Sequence, residues 1–169
     1  MNLKNFFNPR SIAVVGASET PGKVGHALAK NLLRLGFKGK VFLVNPAHSQ
    51  MLGQKCYPDL ENISETVDLA LVAVPAKLVM EVVEKAAEKI KNFVIISAGF
   101  SETGAEGHER EEKLLQLAKA KNLNILGPNC LGFIVPALNL NASFAGGMPE
   151  SGQIAFVSQS GALAVALMD

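Results

Sequence analysis

The chain has 169 residues, 49% of them hydrophobic, with 15 glycines and a formal net charge of +1 from 16 Lys and Arg against 15 Asp and Glu. That length suits one domain and a little more, with enough apolar content for a buried core, and the charge balance leaves no broad basic surface for a nucleic-acid backbone. No apolar run approaches the roughly 20 residues needed to span a bilayer, and Cys56 and Cys130 stand in no disulfide or metal-ligand spacing. The opening residues lack the small-residue cleavage site of a signal peptide, so a cytoplasmic protein with reduced thiols is expected, binding neither nucleic acid nor membrane.

Ser11 to Gly16 is a short β-branched run ending in glycine, the pattern of a strand buried on both faces. Val24, Leu28, Leu32 and Leu35 then recur at helical spacing, and Gly36 supplies a stop. Strand patterns follow at 41–44, 69–74, 93–96 and 124–126, with helical patterns at 78–89 and 109–120. Strands alternating with helices predict an α/β fold, a Rossmann-like doubly wound parallel sheet. In such sheets ligands sit outside the carboxyl ends of the strands, so the residues that follow each strand carry the functional signal.

After Pro136 the pattern changes. Residues 138–141 and the Gly146–Gly152 stretch read as a connector of turn formers, placing a boundary near residue 148. Residues 153–158 then read as a new strand and 161–169 as the start of a helix with no stop signal. The expected division is a first domain over 1–147 and, over 148–169, a connector with the truncated first βα unit of a second domain.

The turn after the first strand, Gly16-Ala17-Ser18-Glu19-Thr20-Pro21-Gly22-Lys23-Val24-Gly25, leads into a helix whose free amides and positive end suit a phosphate or diphosphate. It is not a P-loop: five residues separate Gly16 from Gly22, and Val24 stands where a magnesium-binding hydroxyl is needed. It also misses strict GxGxxG spacing. The second strand ends Val44-Asn45-Pro46, without the acidic residue that usually holds the ribose of NAD and without a nearby arginine for NADP. Further along, Val74-Pro75-Ala76 offers an apolar wall, Ser97-Ala98-Gly99-Phe100 a close-approach backbone, and Gly127 to Gly132 a turn-rich run.

In their order and spacing these segments, with Gly152 to Gly161, resemble the CoA-binding domain of the succinyl-CoA synthetase superfamily, especially the α subunit of ADP-forming acetate–CoA ligases. The resemblance implies that Gly16, Ala17, Ser18, Lys23, Val24 and Gly25 surround the phosphates of coenzyme A. Asn45, Pro46, Val74, Pro75, Ala98 and Gly99 would line the nucleotide and pantetheine path, with Asn129 and Cys130 near the thiol end. A lysine such as Lys23 at a first helical turn is more often a solvated charge, and Cys130 also reads as a small, inert side chain. Ser158, Ser160 and Gly161 would cup a phosphohistidine in the intact protein, with an ordinary serine N-cap as the alternative.

The implied reaction is acid, CoA and ATP (or GTP) interconverting with acyl-CoA, the nucleoside diphosphate and phosphate, through an acyl phosphate and a phosphohistidine outside this chain. ATP or ADP with Mg would be bound by other parts, on an ATP-grasp β subunit or domain, and the second domain would be flavodoxin-like. His26, His48 and His108 lack a glycine-flanked setting for that relay, and Glu106 to Lys113 reads as a solvated helix face with i,i+4 charge pairs. No catalytic residue or metal ligand is assigned within 1–169, and the fragment alone is expected to be inactive. Alternatives left open are a stand-alone CoA-binding regulatory module, an NAD(P)-binding oxidoreductase domain, and a protein acetyltransferase sharing the same region.

Overall fold

A computed structural model describes residues 3–167. A short helix α1 (Lys4–Phe7) precedes β1 (Ser11–Val15), α2 (Val24–Arg34), β2 (Lys40–Val44), β3 (Gln50–Met51), β4 (Gln54–Tyr57) and β5 (Leu69–Val72). Then come α3 (Ala76–Ala86), β6 (Asn92–Ile95), α4 (Ala105–Lys121), β7 (Asn124–Leu126), β8 (Gly132–Val135), β9 (Leu140–Ser143) and α5 (Gly161–Ala166).

The main sheet runs β3-β4-β2-β1-β5-β6-β7, parallel except for the β3–β4 hairpin at one edge. From β1 the chain steps outward through β2 to β4, then returns across the sheet to β5. The order therefore reverses between β1 and β5, which is where a doubly wound sheet opens its ligand crevice.

All five residues of β1 are buried, because both faces of the sheet are covered. Alternate side chains separate into two cores. Ala13, Val15, Phe42, Val72, Phe93 and Ile95 pack against Val79 and Val83 of α3 and Leu114 of α4. Ile12, Val14, Leu43, Leu71 and Val94 face the other way, against Leu28 and Leu32 of α2 and Leu140 and Ala142 of β9.

Three sequence expectations are corrected. Residues 138–141, taken as connector, include half of β9, which pairs antiparallel with β8 and is buried along its whole length. The pattern misled because Asn139 and Asn141 resemble turn formers, whereas the buried Asn141 amide bonds inside the hairpin, donating to Gly147 O at 2.7 Å and accepting from Ser143 Oγ at 2.7 Å. Residues 153–158 form no strand, since no neighbouring strand among the described residues pairs with them; Ile154 and Val157 are each 95% exposed. Of the helix expected over 161–169, α5 ends at Ala166, and Met168 and Asp169 lie outside the described residues. The β3–β4 hairpin, too short for a hydrophobic period, had no expectation.

Candidate functional site

The switch point is built by close approach. Gly16 leaves β1 with φ +86°, its amide donating to Val44 O at 3.0 Å, and a Cβ there would come 2.5 Å from Ala73 O. Gly25, in the first turn of α2, lies so near that an added Cβ would stand 1.9 Å from Gly16 O. Two residues without side chains thus bring the end of β1, the end of β5 and the start of α2 together.

Asn45 locks the next turn onto the first. Its Nδ2 donates to Ala17 O at 2.8 Å and its Oδ1 accepts from Ala47 N at 2.9 Å. His26 Nδ1 lies 3.2 Å from Ser18 O, Ser18 Oγ accepts from Thr20 N, and Glu19 accepts from Leu52 N at 2.8 Å. Lys23 is the exposed N-cap residue of α2 and makes no side-chain cap bond. The amides of Val24 and Gly25 consequently have no acceptor among the described residues. At Gly22 an added Cβ would meet nothing within 4 Å, so the mouth of the turn is open.

The line of contacts continues along the carboxyl edge. Ser97 Oγ donates to Val74 O at 2.6 Å, and Asn129 N donates to Ser97 O at 3.0 Å. Val74 is half-buried beside Gly16, while Pro46, Pro75, Ala98 and Asn129 are exposed along this rim. Gly16, Ala17, Asn45, Val74, Ser97 and Asn129 therefore form one connected series across β2, β1, β5, β6 and β7. Pro75 is the N-cap residue of α3, ahead of the first helical turn expected for it, and α3 begins two residues earlier than its periodicity predicts.

Cys130 Sγ faces the carbonyls of Ile95 and Leu126 at 3.4 and 3.7 Å, and burial pushes its thiol pKa up. A thiol held protonated is not a nucleophile, which favours the inert reading of this residue. At the other end of the chain, Ser160 caps α5, its Oγ accepting from Leu163 N at 3.3 Å, and Ser158 Oγ accepts from Ser160 N at 2.9 Å. Both hydroxyls are engaged locally, beside Gly161.

Sequence reading missed the supports of the turn after β6. The Glu102 carboxylate accepts from Gly99 N at 2.5 Å and Phe100 N at 3.2 Å, and these amides hold its pKa below the usual carboxylate range. Arg110 donates to Gly99 O and pairs with Glu106 at 2.8 Å. The i,i+4 pairs expected on this helix are present, Lys113–Glu109 included, but α4 starts at Ala105 and its second turn faces the site. Gly107 was the available signal: a Cβ there would lie 1.8 Å from Phe100 O.

Two cavities lie off this edge. One of about 270 Å³, lined by parts of 60–67 and 85–90, sits before β5 at the amino end of the sheet. The other, about 290 Å³, lies between α2 and the β3–β4 hairpin. Among the described residues, no helix is long and apolar enough to cross a membrane, and no cluster of three potential metal ligands occurs.

The chain is 45% identical over 99% of its length to an ADP-forming acetate–CoA ligase of Archaeoglobus fulgidus, covering 24% of that protein. It is 42% identical over the same share to the α subunit of the Pyrococcus furiosus enzyme I, covering 37% of it. A solved acetyl-coenzyme A synthetase of Ca. Korarchaeum cryptofilum, in complex with phosphate and ADP, superposes with a TM-score of 0.93 at 42% identity, with 99% of this chain and 36% of that one covered. The chain thus spans between about a quarter and somewhat over a third of these relatives. Residues 10–136 match the family model described as a CoA binding domain, and the chain belongs to that family.

Proposed function

We propose that the chain is the coenzyme-A-binding part of an ADP-forming acyl-CoA synthetase, an acid–thiol ligase. The observation that carries the reading is the mouth after β1: two helix-start amides without acceptors, Val24 and Gly25, beside an open Gly22 at the switch point. Diphosphate oxygens can accept from those amides and lie at the positive end of α2. The exposed Lys23 would add a cation to the same anion. Asn45 turns its amide to Ala17 and Ala47, and the end of β2 carries no carboxylate for the ribose diol of NAD.

From there the nucleotide would lie along Pro46, Val74 and Pro75, and the pantetheine arm would pass Ala98 and Gly99 toward Asn129 and Cys130. The chain's own contribution is binding and aim. Helix-start amides fix the phosphates, the locked turns fix the path, and no proton transfer is assigned to residues 1–169. In the intact protein the acid, CoA and ATP would give acyl-CoA, ADP and phosphate through an acyl phosphate and a phosphohistidine. ATP and Mg would be held on an ATP-grasp β subunit or domain in the cytoplasm. Residues 1–147 would form the CoA domain, and 148–169 would enter a second domain in which Ser158, Ser160 and Gly161 meet the phosphohistidine.

Titration calorimetry tests the reading directly. Saturable binding of CoA with one site per chain, and none of NADH, is the expected result. No heat and no thermal stabilisation with CoA at millimolar concentration would overturn it.

A further inference from the structure

His26, Lys30 and Arg34 recur every fourth residue along α2 and therefore share one face of that helix. With Leu33, and with Leu52 and Gln54 of the β3–β4 hairpin, they line the cavity of about 290 Å³. No carboxylate is among the lining residues. The acid beside it, Glu19, already accepts from Leu52 N at the hairpin tip. Lys30 and Arg34 form no ion pair with any described residue, unlike Lys40, Lys85, Arg110, Lys113 and Lys121. His26, held at Ser18 O, joins this cavity to the turn after β1.

Two unpaired cations on one concave wall raise its potential, and a dianion gains from both where a neutral ligand gains from neither. The guanidinium fork of Arg34 can present two parallel donors to phosphoryl oxygens, and Lys30 adds a point charge. The apolar Leu33 and Leu52 lower the local polarity, which strengthens such contacts. We propose that this cavity seats a phosphomonoester dianion on Lys30 and Arg34, as a second anion site separate from the amides of Val24 and Gly25. Two sources share that chemistry: the 3′-phosphate on the ribose of CoA, a source that rests on the function proposed above, and free inorganic phosphate.

The test titrates the whole chain with CoA, with dephospho-CoA, which lacks the monoester, and with inorganic phosphate. The double variant Lys30→Gln/Arg34→Gln is compared with the wild type and with Lys38→Gln, an exposed cation outside the cavity. Lys30 and Arg34 are exposed, so the double variant is expected to keep the wild-type denaturation midpoint. If CoA supplies the group, a wild-type preference for CoA over dephospho-CoA of about tenfold collapses toward one in the double variant, with Lys38→Gln unchanged. If free phosphate supplies it, phosphate affinity falls by a similar factor while the CoA preference stays. A double variant that keeps both the wild-type preference and the wild-type phosphate affinity overturns the proposal. Failure of the wild type to bind CoA at all would instead sink the CoA reading, and the phosphate titration would still decide the cavity.

Discussion

Gly16 and Gly25 set the limits of the site. Replacing Gly25 with alanine drives a methyl into a backbone carbonyl that cannot swing aside, so a loss of about 3 kcal/mol in chemical denaturation is expected, with loss of CoA binding. Asn45→Ala removes one hydrogen bond between turns and one within its own turn, and is expected to destabilise by about 1–2 kcal/mol, again by denaturation, and to weaken CoA binding as the first turn loosens. Glu102 gives a pH signature. Its folded pKa is depressed by the Gly99 and Phe100 amides, so the native state binds fewer protons than the unfolded chain between the two values. Its contribution is therefore complete above the ordinary carboxylate pKa and is lost as pH falls through the folded one. In denaturation measured across that acidic window, Glu102→Gln should flatten the decline seen in the wild type. The glycines were legible in the sequence because strand, turn and helix signals flank them; the inward reach of Arg110 was not, because i,i+4 charge spacing looks alike whether a helix face meets solvent or a neighbouring turn.

At the level of elements, the apolar packing of the β8–β9 hairpin on α2 is joined by one buried polar side chain: Asn31 Nδ2 donates to Ser143 O at 2.9 Å and Ala145 O at 2.8 Å. Asn31→Ala would take this donor from Ser143 O and leave Ala145 O with the longer 3.3 Å bond from Asn141 Nδ2, and a loss of about 1–2 kcal/mol by urea denaturation is expected. Asn31→Leu should not rescue it, since bulk without a donor does not restore these two bonds. Long periodic elements such as α2 and the strands of the parallel sheet could be read from spacing alone. The hairpin could not, because its buried polar residues satisfy one another only after Asn141, Ser143 and Asn31 have been brought together.

Across the whole molecule, burial divides the chain unevenly. Both cores are filled by residues before 146, whereas Ile154, Phe156, Val157, Leu163 and Leu167 are exposed. Limited proteolysis is expected to cut first within 149–158 and to leave a product ending near residue 148 with unchanged thermal stability, as mass spectrometry and calorimetry would show. The sequence by itself determined the alternation of strands and helices, the glycines at the first turn and the missing carboxylate after β2, since each follows from local spacing or residue type. Tertiary structure alone decided which turns touch, that 140–143 is a buried strand and 153–158 is not one, and that His26, Lys30 and Arg34 of α2 line a shared cavity. Those outcomes depend on partners distant in sequence, and a strand or a charged cavity exists only once its partner is beside it.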